Sequence, residues 1–202
     1  MDERTIVQAS KKLSWLLRHG AHEAGVALDS EGWAEIAAVL SATRLSRALF
    51  DAAVAQNNKK RFEVEGSRVR ACQGHSAGVV SRDAVESSWT ELAEADGTVW
   101  HGTSLEVIEV IAREGLSPVS RTHVHLAQHT NSTVGKRANV DVLLGVSIAA
   151  MRAAGEPLWT SPNGVILARR VPPGAIVAVR AAHRRAESAL DRVRALFPSA
   201  RD

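Results

Sequence analysis

The 202-residue sequence contains one cysteine, Cys72, which rules out an intrachain disulfide and leaves a thiolate-based zinc centre short of ligands. No apolar run approaches the roughly 20 residues needed to cross a bilayer. The opening "MDERTIVQAS" has neither the basic flank nor the apolar core of a secretion signal, so a cytoplasmic location is expected. There is no Gly-rich dinucleotide fingerprint after a strand and no phosphate-binding P-loop. A nucleotide, if used, must be held by another kind of fold. No internal repeat is visible. Of the eight histidines, only His101 opens an H-x-S/T triplet, His101-Gly102-Thr103. Two-histidine phosphoesterases need two such triplets, one imidazole to take a proton and one to give it, so hydrolysis of that kind is disfavoured.

What is present describes an ordinary globular chain, 45% hydrophobic and 23% charged, long enough for one domain or two small ones. The formal net charge of +3 is unevenly spread: +2 over residues 1 to 75, −6 over 76 to 120 and +7 over 121 to 202. An acidic middle between more basic ends suits a polyanionic partner that touches both ends.

Ile6, Ala9, Leu13, Leu16 and Leu17 recur at helical spacing, predicting an amphipathic helix over residues 3 to 19. In "SWLLRHGAHEAG" that helix ends on Arg18-His19 with Gly20 as its expected cap. Cations in a last turn are worth roughly 0.3 to 1 kcal/mol, which is a purely structural reason for the pair. A second helix is expected through Ile36, Val39 and Leu40, and a third through Leu45, Leu49 and Ala53 with Thr43 as N-cap. In "RFEVEGSRVRAC" apolar and charged residues alternate on both sides of Gly66-Ser67, predicting a β-hairpin with Arg61 on its polar face. Three helices and a hairpin is the order of a winged helix, a common nucleic-acid-binding module.

Residues 79 to 95 are polar and acidic and are expected to connect two lobes, 1–78 and 96–202. "VWHGT" predicts a strand, with Thr103 and Glu106 forming a capping box for a helix that Gly115 stops. "THVHLA", "VDVLLGVSI", "GVILARRV" and "GAIVAVRA" predict four more strands, and residues 182 to 196 an arginine-rich surface helix. The expected class is therefore α+β.

His123, His125 and His129 raise the possibility of a metal site, since strand histidines at i and i+2 share a side; it would need ligands from elsewhere. Arg18-His19, Lys60-Arg61, Arg121 before His123, and Arg70 before Gln73-Gly74-His75-Ser76 set cations beside histidines at predicted element ends. Guanidinium forks pair bidentately with phosphate oxygens. Several converging would clamp a phosphate monoester, whose second pKa is about 6.

Taken in order, "SKKLSWLLRH", "LDSEGW", "NNKKRFEV", "RACQGHSAG", "WHGTS", "EGLSPVSRTHVHLA", "VGKRANVDVLL" and "SPNGVILARRVPP" resemble the RNA 2'-phosphotransferase family, KptA/Tpt1, from about residue 10 to 181. The resemblance implies a winged-helix RNA lobe joined to an ADP-ribosyltransferase-like mixed-sheet lobe. It implies a metal-free reaction with NAD+ as consumed co-substrate: the RNA 2'-phosphate displaces nicotinamide, and a ribose hydroxyl then releases 2'-OH RNA and ADP-ribose 1'',2''-cyclic phosphate. Carried onto this chain, the family's catalytic set falls on Arg18, His19, Arg61 and Arg121. Its NAD+-binding motifs fall on His101, Gly102, Thr103 and His125, with Val165 where toxin-like relatives carry a glutamate. Gln73, Gly74, His75 and Ser76 are expected to line the cleft between lobes. The implied partners are tRNA-type RNA bearing a 2'-phosphate and NAD+, without a membrane and with the chain monomeric.

Which of His123 and His125 faces NAD+ stays open. Arg70 is expected to balance Glu63 or Glu65, and Arg137 to bind phosphate or close an ion pair. Three positions depart from the family pattern: Ala21, Trp100 and Ala127. Two other functions share these features, an ADP-ribosyltransferase that caps terminal phosphates of nucleic acids and a nucleic-acid binder whose second lobe senses NAD+.

Overall fold

The computed structural model describes residues 2–132, 134–135 and 139–200; Arg137 lies outside them. The chain is mixed α+β and divides into two compact units, Met1–Trp89 with Ser120–Thr122, and Thr90–Val119 with His123–Asp202. Among the described residues no helix is long and apolar enough to cross a membrane.

In the first unit, α1 (Glu3–Trp15) starts at Asp2, whose carboxylate accepts from the Thr5 amide, and buries Ile6, Ala9 and Leu13. It does not end at Gly20. It widens into a π-helical turn, Leu16–Gly20, which puts the consecutive Leu16 and Leu17 both into the core and leaves Arg18 and His19 on the rim. A π-turn inserts an extra residue per turn and so rotates the residues after it about the helix axis. The true cap is Gly25, at φ 67°. The Gly25 amide donates to His22 and the Val26 amide to Ala21, the paired bonds of a Schellman motif. Gly20 is glycine for another reason: a Cβ there would stand 2.2 Å from the Trp15 indole.

Next come β1 (Ala34–Glu35), α2 (Ile36–Thr43) and α3 (Arg47–Ala55). The N-cap of α3 is Ser46, which accepts from the Leu49 amide. Thr43 instead closes α2, donating its hydroxyl to the Val39 carbonyl; a threonine can serve either end, and the hydrophobic pattern alone did not separate them. The expected hairpin forms from β2 (Phe62–Glu65) and β3 (Arg68–Ala71) around Gly66-Ser67, and β1 adds to β3. Its faces differ from simple alternation, because Val64 is exposed and Arg70 buried. Arg70 pairs with Glu63 and Glu31 and stacks on Trp33 at 4.5 Å. Within residues 79 to 95, Ser81 caps a short helix, α4 (Arg82–Ser87), that buries Val85; six residues are too few to show a stripe in sequence.

The second unit holds β4 (Thr90–Glu91), β5 (Thr98–Thr103), α5 (Ile108–Glu114), β6 (Val124–Leu126), β7 (Val142–Ser147), α6 (Ile148–Ala153), β8 (Leu158–Thr160), β9 (Ile166–Ala168), β10 (Ile176–Ala181) and α7 (Leu190–Ala195). The strands form two antiparallel sheets, β10-β7-β5 and β4-β8-β9-β6. Leu126, Leu144, Ile166 and Ile176 meet in the core with Ile108 and Met151. The expected capping box is absent: Thr103 stays in β5 and Asp141 accepts from the Leu105 amide. The carboxylate reaches in from far along the chain, so no local signal marks it. The C-terminal segment is a 3-10 turn, Arg184–Ala189, before α7, and it buries Val193 and Phe197.

Gly115 ends α5 at φ 80°, and a Cβ there would meet the Val171 carbonyl oxygen at 2.1 Å, between the paired amides of Leu116 and Val171. Backbone strain of this type and forced packing each cost about 1–3 kcal/mol. Gly115→Ala is therefore expected to lose at least about 2 kcal/mol in urea denaturation, and a parent-like midpoint would contradict this packing.

Candidate active site

Every residue of the Arg18, His19, Arg61 and Arg121 set lies in the first unit. Arg18 sits in the π-helical turn with Nε and Nη2 buried and without a hydrogen-bond partner among the described residues. Its guanidinium lies against Gly74, where a Cβ would come within 3.4 Å of Cζ and Nε and φ is 92°. Glycine allows both the close approach and that backbone conformation. Burial, then the charges of Arg61 and Arg121, push Arg18 down to about 10. Like charges converge around a buried donor fork, an arrangement that an anion would relieve.

Arg61 is aimed by the turn after α3. Asn57 is buried; its Nδ2 donates to Ser10 at 2.8 Å, while its Oδ1 accepts from the Lys59 amide and from Arg61 Nη1 at 2.9 Å. Lys60 takes a left-handed backbone at φ 43°, which turns the chain into Arg61 and β2. Burial lowers the Arg61 pKa. Arg121 arrives on three residues that return to the first unit. Arg121 bridges Ser76 in antiparallel fashion, with the Ala77 amide donating to Ser120 and the Thr122 amide to His75.

His19 Nδ1 lies 2.8 Å from Ser76 Oγ, and the Ser76 amide donates to the Arg18 carbonyl. Burial first, then Arg18 and Arg121, hold the His19 pKa below its ordinary value. The shift favours the neutral imidazole, and with Nδ1 engaged by Ser76, Nε2 is the nitrogen left to take or give a proton. Of the Gln73–Ser76 stretch, Gln73 and His75 are buried, while Gly74 and Ser76 touch Arg18 and His19. The structure thus brings Ser76, Gly74 and Asn57 to the arginines. Sequence reasoning missed Asn57, whose one local signal is the "NNKK" turn before Arg61. Cys72 is buried and its thiol pushed up to about 12, chiefly by that burial, so it is no nucleophile.

In the second unit, His101 and Thr103 lie on β5 and His125 on β6. His101 Nδ1 is 3.0 Å from the His125 carbonyl oxygen; a carbonyl only accepts, so Nδ1 carries a proton in this bond. Gly102 packs under Val140, where a Cβ would stand at 3.1 Å. Thr103 is buried. His125 is partly buried, and His123 is fully buried with its ring 5.7 Å from Trp159, edge to face. Val165 is buried, its amide and carbonyl both engaged by Ser161. Trp100 is buried under the Arg180 guanidinium, 4.8 Å away, and its backbone pairs with Ala127. Among the described residues, no group of three or more His, Cys, Asp and Glu side chains could hold a metal ion.

Residues 4–170 match the model of the RNA 2'-phosphotransferase, Tpt1 / KptA family. The chain belongs to the RNA 2'-phosphotransferase family. Among its relatives, a Pseudomonas fluorescens protein named "Probable RNA 2'-phosphotransferase" is 38% identical over 188 residues, covering 89% of this chain and 100% of the relative. A Streptomyces griseus protein of the same name is 40% identical over 86% of this chain and 96% of its own length. One from Escherichia coli strain K12 / MC4100 / BW2952 is 35% identical over 84% and 94%. The matched span of this RNA 2'-phosphotransferase-family chain includes the arginine cluster of the first unit and the histidines of β5 and β6.

An NMR titration of the His19 ring is expected to give a pKa below about 6.5. Arg121→Gln, which removes one facing charge, is expected to raise it; a value unmoved by that substitution would contradict the electrostatic account of this pocket.

Proposed function

We propose that this chain is an NAD+-dependent RNA 2'-phosphotransferase, removing the 2'-phosphate of a tRNA-type RNA to yield 2'-OH RNA, nicotinamide and ADP-ribose 1'',2''-cyclic phosphate. The observation that carries the reading is the buried Arg18 fork, lacking an acceptor and pressed by the charges of Arg61 and Arg121. In this reading, residues 1–78 form a winged-helix RNA lobe, 79–95 a connection, and 96–202 an ADP-ribosyltransferase-like lobe. The three helices and the β1-β3-β2 sheet support the first assignment, and the two antiparallel sheets of the second unit are compatible with the other.

Arg18, Arg61 and Arg121 hold the nonbridging oxygens of the 2'-phosphate. Fixed donors of this kind need no reorganisation as charge shifts during phosphoryl transfer. His19 handles a proton at Nε2, with Ser76 orienting the ring through Nδ1. NAD+ supplies the electrophilic ribose carbon that the phosphate attacks. The polar groups of the second unit suit such a molecule: His101 and Thr103 on β5 and His125 on β6 bring imidazoles and a hydroxyl of the kind that meets ribose hydroxyls. Val165, an aliphatic side chain, offers no general base, and an ionised phosphate needs none. The reaction proceeds without a metal ion.

The deciding experiment incubates the protein with a short RNA bearing one internal 2'-phosphate, with and without NAD+ and with chelator throughout, and follows RNA and nucleotide by mass spectrometry. NAD+-dependent phosphate loss with ADP-ribose cyclic phosphate is expected. Unchanged RNA, or RNA that keeps an attached ADP-ribose, would contradict the complete reaction. In single turnover, Arg61→Ala and Arg121→Ala are each expected to lose about 2.7–4 kcal/mol of transition-state stabilisation, and rates within about tenfold of the parent would contradict the clamp.

A further inference from the structure

A cleft of about 660 Å³ opens in the first unit and ends at Arg18 and Arg61. One wall is a face of α1 that carries Ser10, Lys11 and Ser14 toward Arg18; the other is the turn after α3, with Asn58 and Lys59 before Arg61. Lys11 is exposed and makes no hydrogen bond or ion pair among the described residues. The lining has one carboxylate, Glu3, at the first residue of α1. The remaining polar groups are cations, hydroxyls and amides, the set that meets phosphate and sugar oxygens. The cleft is far larger than one phosphate requires.

We propose that this cleft is the track for the RNA backbone beside the modified nucleotide, with Lys11 and Lys59 each meeting a phosphodiester. The proposal rests on the reading that the arginines hold an RNA 2'-phosphate. Arg18 and Arg61 then mark the end of the track, so the 2'-phosphate is recognised together with its chain. Lysines on the cleft walls suit this task, because contact with a polyanion releases counterions and draws affinity from the whole backbone rather than from a base. A lone nucleoside 2'-phosphate would reach the arginines and leave the lysines unused.

The test is fluorescence anisotropy with an end-labelled single-stranded RNA carrying one internal 2'-phosphate, and competition by a nucleoside 2'-monophosphate, for the parent, Lys11→Gln and Lys59→Gln. Each lysine variant is expected to weaken the oligonucleotide several-fold and to lower the slope of log Kd against log salt by about 0.7, one contact on a single strand. Competition by the mononucleotide is expected to stay within about twofold of the parent's, since it lacks the phosphodiesters that supply the salt-dependent term. Arg113→Gln, an equal charge loss at an exposed residue of α5, serves as control and is expected to change neither. Unchanged oligonucleotide affinity in both lysine variants, or equal weakening of both ligands, would overturn the track. Anisotropy reads binding without turnover. A parent inert toward NAD+ would therefore count against the enzymatic reading while this comparison still decided the cleft.

Discussion

A guanidinium whose Nε and Nη2 are buried without an acceptor among the described residues is the constraint around which the first unit is arranged. Burying a charge is costly unless it is paired, and Arg61 and Arg121 add repulsion at Arg18. An incoming dianion turns each unfavourable contribution into attraction, because the donors are already desolvated and fixed. In the proposed reading, selectivity is stored in the folded state, ready for a phosphate monoester.

Four local devices keep the cluster in place. The π-helical turn lets Leu16 and Leu17 share the core while Arg18 and His19 reach the rim. Gly74 lies against the Arg18 guanidinium. Asn57 joins Ser10 of α1 to Arg61, so a helix and a turn share one orienting group. The bridge between Ser76 and Arg121 delivers the third arginine and also brings the hydroxyl that orients His19. Rotating any of these would change the positions of several functional atoms at once.

Much of this was legible in the chain itself. The stripe of α1, the alternation of β2 and β3, and the strands around "WHGT" and "VDVLLGV" follow from period alone. What escaped has a physical cause in each instance. A π-turn differs from an α-turn by one backbone hydrogen-bond step, so Gly20 read as a cap when Gly25 is the cap. Ser46 displaced Thr43 as an N-cap because both are competent oxygens at a helix boundary. Arg70 was expected to balance Glu63 or Glu65; Glu63 is the hairpin partner, while Glu31 and Trp33, from outside the hairpin, complete its surroundings. Arg18, Arg61 and Arg121 were named from motif resemblance, whereas Asn57 and the orienting role of Ser76 depend on contacts distant in sequence.

The central claim is that the arginine cluster recognises the 2'-phosphate itself. Isothermal titration of two RNAs of identical sequence, one with a single internal 2'-phosphate and one with a 2'-hydroxyl, tests it most directly in the parent and in Arg18→Gln. The account predicts clearly tighter binding of the phosphorylated RNA by the parent, and a preference that collapses in Arg18→Gln while the shared backbone affinity remains. Equal affinity of the parent for both RNAs, or a preference untouched by Arg18→Gln, would contradict it.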